Sequence, residues 1–355
     1  MNVLYAIQGT GNGHLSRAQE IVPILSKHVN TTVLVSGNQS QIQSNFEINY
    51  KRTGLTFLSG KTGKVDLLRT IVKSHPIDFF NEIRKFPIKN YDLVITDFEP
   101  VSAWAALMHG VPCIEMSHQA AVIHPNAPKP DVKNRLGEYI LNHYCPTKEK
   151  IGFHFEAIEE QIHTPVIQQS VRELTPTNKG HYTVYLPAFH DDSIVHFLKQ
   201  FPVKWEVFSK FTKTPYQQAN VSFYPIDKVA FNNSFAHCEG VLCGAGFELP
   251  AEAIYLQKKL LVIPMKGQYE QLCNAVAAKN MGASVIESLD LIHHRTVNLW
   301  LNQGAFLQAN YENKTEAIVT QVLHNFEQQQ KRAKSLHKET EKTTFEKLSV
   351  LKYLF

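Results

Sequence analysis

The chain has 355 residues, 43% of them hydrophobic and 19% charged, with a formal charge of +4, which suits two ordinary soluble domains, each with its own core. So slight an excess of positive charge excludes a dedicated nucleic-acid binder. The odd set Cys113, Cys145, Cys238, Cys243 and Cys273 has no CxxC or Cys/His ligand spacing and excludes a disulfide scaffold or a structural zinc site.

The opening MNVLYAIQGTGNG lacks the basic leader and cleavage site of a signal peptide, and no run of about 18 apolar residues occurs. The expectation is a cytoplasmic protein without a spanning helix. Residues 3–7 form an apolar run that ends in glycine-rich sequence, and residues 16–27 carry Ala18, Ile21, Val22 and Leu25 at helical spacing. Residues 31–35 and 92–96 (DLVIT) are further strands. A helix over 101–109 and, after a Gly-Val-Pro turn, a strand over 111–115 follow. Apolar strands alternating with amphipathic helices predict a parallel sheet covered on both faces.

The second half repeats the plan. Strands are predicted at 182–186, 204–208, 221–224, 240–242, 259–263 and 283–286, with helices near 192–201, 249–256 and 269–281. Between the halves, residues 164–179 contain Pro165, Pro176 and several polar residues and read as a linker. The expected organisation is a first doubly wound domain over 1–163, the linker 164–179, and a second doubly wound domain over 180–335. A C-terminal helix over 336–355 is expected to pack back on the first domain. Ligands of such sheets bind at the carboxyl ends of the strands.

Three clusters fall at those ends. The first is QGTGNGHLSRAQEI, from Gln8 onward. Gly11 and Gly13 let backbone approach a ligand, and the helix N-terminus behind them suits a phosphate or a developing anion. The spacing is GxGxG, not the dinucleotide GxGxxG, and the acid expected about 20 residues on for a ribose is missing. That disfavours a nicotinamide enzyme. His14 opens the helix and reads either as a satisfied capping histidine or as a general base near its ordinary pKa. The second cluster is Asp97 and Glu99, after the DLVIT strand, with Ser117, His118 and Gln119 after the next. Asp97 or Glu99 would orient a histidine, or would serve as a helix cap or first-turn acid. Ser117, His118 and Gln119 are acceptor-side candidates or ordinary polar loop residues.

The third cluster is CGAGFELPAEAIYLQKKLLVIPMKGQYEQLCNA, from Cys243 to Ala275. It resembles the donor-binding segment of GT-B glycosyltransferases. The similarity is to the lipid-intermediate N-acetylglucosaminyltransferases of peptidoglycan synthesis and the plant-type UDP-sugar transferases. It is greater still to a group of uncharacterised prokaryotic transferases that share the GxGNGH opening and a DFEP strand end. The resemblance implies a GT-B fold of two Rossmann-like domains facing a cleft. It implies that Gly244, Gly246 and the following helix N-terminus face a diphosphate, that Glu252 accepts from ribose hydroxyls, and that Glu270 and Gln271 hold the donor sugar. Ile226, in YPIDKV, matches more loosely a position whose backbone holds the base. His14 and Asp97 match a His–Asp dyad that deprotonates an acceptor hydroxyl, with Glu99 as the next candidate base. The implied donor is a UDP-linked hexose and the acceptor a sugar or a lipid-linked hydroxyl, with no metal and no further cofactor.

Two positions depart from the pattern. Glu248 and Pro250 stand where relatives carry hydroxyl side chains, so Glu248 must point away from a diphosphate or pair with a cation such as Lys266. Gln257-Lys258-Lys259 replaces a Gly-x-Pro turn. Asp191-Asp192 reads as a helix cap, not a metal site.

Residues 51–89 hold nine Lys/Arg against three acids. They read as a solvated helical face or as a peripheral patch at the inner face of the membrane. A UDP-sugar 2-epimerase, a non-catalytic sugar-nucleotide-binding protein and a dehydrogenase are the alternatives.

Overall fold

Val3, Leu4, Tyr5, Ala6 and Ile7 are all fully buried, so the first strand has no solvent face, as the unbroken apolar run requires. The computed structural model describes residues 1–37, 44–54 and 76–351, with side chains described as far as residue 335. Part of the basic stretch, residues 55–75, lies outside the described residues.

Two seven-stranded sheets contain all the strands among the described residues. In the first, β1 (Asn2–Gln8), β2 (Asn30–Ser36), β3 (Tyr50–Arg52), β4 (Leu93–Asp97), β5 (Cys113–Ser117), β6 (Glu149–Phe153) and β7 (Ile162–His163) lie in the order β3-β2-β1-β4-β5-β6-β7. The second has β8 (His181–Tyr185), β9 (Lys204–Ser209), β10 (Tyr216–Gln218), β11 (Val221–Pro225), β12 (Gly240–Gly244), β13 (Lys259–Ile263) and β14 (Ser284–Val285). Their order is β10-β11-β9-β8-β12-β13-β14. All pairings between these strands are parallel except β10 with β11. Each sheet therefore turns back on itself once, between β1 and β4 and between β8 and β12, which is where doubly wound folds bind ligands.

The helix α1 (Asn12–His28) buries Leu15, Ala18, Ile21, Val22 and Leu25. These residues share one apolar cluster with Ala251 and Ile254 of the helix Glu248–Tyr255 and with Ile318, Val319, Val322 and Phe326 of the helix Thr315–Leu351. The long helix starts at Thr315, and its first turns pack on α1; the packing expected of 336–355 lies outside the described side chains.

The stretch 164–179 is anchored to both halves. Gln169 N donates to Glu20 at 3.0 Å, and Thr177 and Lys179 donate to the carbonyls of Ala236 and His237. Lys258, in the altered turn, donates to the carbonyls of Thr177, Ala236 and Cys238 at 2.8, 2.8 and 2.7 Å. Gln257 takes the left-handed conformation there, with φ 57°, one that favours glycine. The turn therefore ties the linker to the second sheet.

Candidate functional site between the two sheets

Parallel register sets Asp97 beside Ile7, at the carboxyl end of the first sheet and next to the start of α1. Gly11 caps α1 without a side chain, and its first turn holds no acid, so the exposed N–H groups remain available to an anion. His14 Nδ1 lies 2.8 Å from Asp97 Oδ1. An ionised carboxylate only accepts, so Nδ1 carries the proton and Nε2 is left as the basic nitrogen. The Gln119 amide nitrogen stands 3.5 Å from that Nε2.

Burial opposes a charged imidazole, but the charge and hydrogen bond of Asp97 outweigh it, and His14 is held above its ordinary 6.5. Asp97 is fully buried. Burial pushes its carboxyl up, while Arg17 and His14 together bring it below the usual carboxylate range. Arg17 is a site residue the sequence reading passed over. It lies one turn after His14 on the buried face of α1, where an arginine needs a charged partner. Its Nε and Nη2 donate to Asp97 at 2.9 and 2.6 Å.

Glu99 sits two residues past Asp97, yet serves a different element. Phe98 between them takes a φ of 56°, a strained conformation for a bulky residue, and turns the two carboxylates apart. Glu99 accepts from the backbone N–H groups of Val101 at 2.8 Å and Ser102 at 2.7 Å, and from the hydroxyl of Ser36. It is the N-cap of the helix Pro100–His109.

Ser117 caps the next helix by accepting from Ala120 N at 3.0 Å, and donates to Glu115. His118 is held at both ring nitrogens, 2.7 Å from the Phe153 carbonyl and 2.7 Å from Asn274 Oδ1, and its ring stacks on Phe247 at 3.9 Å. Of the three acceptor-side candidates, Gln119 alone reaches toward His14, and it also donates to Glu270 at 3.0 Å.

On the second sheet, Gly244 ends β12 and Gly246 leads into the helix Glu248–Tyr255. A Cβ at Gly246 would meet nothing within 4 Å, so the loop faces open space. Glu252 is 7% exposed and accepts from Gln168 Nε2 at 3.0 Å. Burial raises its carboxyl to about 7. Gln271 turns back to accept from Met265 N at 2.8 Å, which fixes the loop ahead of its own helix. Ile226 is 38% exposed, just beyond β11.

Glu248 does not pair with Lys266. Its Oε1 accepts from Arg17 Nη1 at 2.5 Å, across from the other half of the molecule. Asp191 is no cap either. It is the first helical residue after His190, and its carboxylate accepts from the hydroxyls of Ser209 and Thr212.

Comparison with known proteins gives the same architecture. Residues 1–303 match the profile described as Glycosyl transferase family 1. Solved structures with the same fold include MurG of Acinetobacter baumannii. That match has 12% identity, covers 91% of this chain and 99% of that one, and has a TM-score of 0.53. Another is UGT89C1 of Arabidopsis thaliana complexed with UDP-L-rhamnose, with 11% identity, coverage of 85% and 89%, and a TM-score of 0.53. A third is the glycosyltransferase SsfS6 of Streptomyces sp. SF2575 complexed with thymidine diphosphate, with 12% identity, coverage of 91% and 99%, and a TM-score of 0.51. Comparison with curated proteins returns no sequence match. Among the described residues no helix is long and apolar enough to cross a membrane. A family match over residues 1–303, on two doubly wound sheets, places the chain in glycosyl transferase family 1, as a glycosyltransferase of GT-B fold.

Proposed function

We propose that the protein transfers a hexose-type sugar from a nucleoside-diphosphate donor, UDP-linked in the first instance, to an acceptor hydroxyl, with His14 as the general base. The observation that carries this reading is the His14–Asp97 pair at 2.8 Å, with the basic Nε2 facing the Gln119 amide, which also donates to Glu270. The solved relatives bound to UDP-L-rhamnose and thymidine diphosphate support the donor class.

In this mechanism the acceptor O–H gives its proton to His14 Nε2 while the oxygen attacks the anomeric carbon. The bond from that carbon to the diphosphate oxygen breaks, and the nucleoside diphosphate leaves with the electron pair. The N–H groups opening α1 and the loop of Gly244 and Gly246 stabilise the charge on the leaving group without a metal, while Gly11 keeps the approach clear and Gly13 leaves room for the Glu248 carboxylate. Asp97 holds the imidazole tautomer and the charge that His14 gains. Glu252 accepts from the ribose hydroxyls. Glu270 holds a donor hydroxyl in place of the bond it now receives from Gln119, while Gln271 supports the sugar site by fixing its loop. Ile226 offers backbone to the base. Glu99 and Ser117 act as caps and His118 as an interface contact, which leaves Gln119 as the acceptor-side residue. Glu248 is held by Arg17 at 2.5 Å, so its carboxylate is turned toward the first half and does not stand unpaired in the diphosphate loop.

A thermal-shift panel of nucleoside diphosphates and their sugars tests the donor class. UDP-sugar stabilisation that disappears in Glu252→Ala is the expected result. Stabilisation by none of the panel, or stabilisation unchanged in that variant, would overturn the donor site.

A further inference from the structure

Arg17 stands between carboxylates from opposite halves of the molecule. Its side chain is 1% exposed. Two of its nitrogens hold Asp97, and the third holds Glu248 Oε1 at 2.5 Å. Arg17 Nη2 also lies 3.2 Å from His14 Nδ1. Gly13 permits this arrangement, because a Cβ there would collide with Glu248 Oε2.

The charges in this group have a chemical consequence. A histidine gains basicity from an aspartate whose negative charge is not already spent on another cation. Arg17 spends the charge of Asp97. With those two alone, a neutral imidazole sits in a balanced site, and protonation leaves a buried excess of positive charge. Glu248 reverses this. The resting group is then negative by one, and the proton taken from an acceptor brings it to balance.

We propose that Glu248 is a positioning residue for catalysis, acting through Arg17 to make His14 basic enough to deprotonate the acceptor. Because Glu248 belongs to the donor half, the base is completed only when the two halves are in contact. The inference rests on the reading of His14 as the base.

The groups facing His14 from each packed element agree with this assignment. Asp97 comes from the end of β4, Arg17 from α1 itself and Glu248 from the second half. Tyr5 of β1 stands with Asp97 and Arg17, and burial first, then Asp97, keeps its hydroxyl protonated. Gln119 is uncharged and separates the ring from Glu270. Burial acts against the His14 imidazolium. Asp97 and Glu248 favour it, and Arg17 opposes it.

The test is a proton titration of His14 in the full-length protein carrying [13Cε1]-histidine, with the His14 signal identified by its loss in His14→Gln. No donor or acceptor is needed. Glu248→Gln, which keeps the shape and removes the charge, is expected to lower the His14 midpoint by about one pH unit. Gly13→Ala changes no charge but displaces the carboxylate from Arg17, and is expected to shift the midpoint the same way. A midpoint that stays in place or rises in both variants overturns the inference. The underlying reading fails separately. If His14→Ala turns over at the wild-type rate, the base assignment is lost and the inference with it. If His14→Ala is inactive while both midpoints stay in place, the role of Glu248 alone is lost.

Discussion

Glu252 is expected to set stability and donor affinity against each other, and Glu252→Gln separates the two. The carboxyl is buried, receives one hydrogen bond from Gln168, and is raised by burial from 4.5 to about 7. Glu248 and Glu20 add to that rise, while Gln168 and Lys228 reduce it. The folded-state value lies above the unfolded one, so the folded protein binds more protons between them. Stability therefore falls as pH rises from 4.5 through about 7 and levels off above. At 1.36 kcal/mol per pH unit, the ionised carboxylate costs the folded state up to roughly 3 kcal/mol. Glutamine carries no charge and can still accept from Gln168, so Glu252→Gln should match the wild type near pH 4.5 and exceed it by several degrees in melting temperature near pH 8.5. Nucleotide binding should move the other way. Ribose hydroxyls donate best to a carboxylate, so wild-type affinity for UDP should rise with pH through about 7. The variant should lose about 1.5–3 kcal/mol of that binding, on the order of tenfold to a hundredfold. Thermal denaturation from pH 4.5 to 8.5, with and without UDP, reads both effects. A melting difference independent of pH would refute the titration argument, and full UDP stabilisation in the variant would refute the ribose contact.

Three further outcomes are expected. His14→Ala should lower turnover on the order of 10² to 10⁴ without weakening nucleotide binding, measured as UDP release against a thermal-shift control; unchanged turnover would remove His14 as the base. Lys258→Met leaves the carbonyls of Thr177, Ala236 and Cys238 without their shared donor and should cost about 3 kcal/mol in urea unfolding; an unchanged midpoint would show that the turn does not need the ammonium. The protein should not co-sediment with anionic phosphatidylserine vesicles; salt-sensitive binding would favour the reading of the basic stretch 51–89 as a membrane patch.

Local pattern determined much of this protein. Fully buried strands must be apolar throughout, and a strand that runs into glycines and then a helix announces a ligand-binding turn, so both sheets and both glycine loops were legible without coordinates. The spacing of Gly244, Gly246, Glu252 and Glu270 was equally readable, because all four lie within one strand–loop–helix–strand–helix unit. The short β3, β6, β7 and β10 were not read in advance. β7 has only two residues and β10 is exposed along its length, so neither carries an apolar period.

What side chains do across the fold was decided only in three dimensions. Asp97 and Glu99 are indistinguishable in sequence. The register with β1 and the left-handed Phe98 send one to His14 and the other to a helix cap. Glu248 looked like a misfit beside a diphosphate, and its partner Arg17 lies 231 positions away. No local spacing encodes that pair, because it exists only where two separately patterned halves dock and a buried arginine must find its charge.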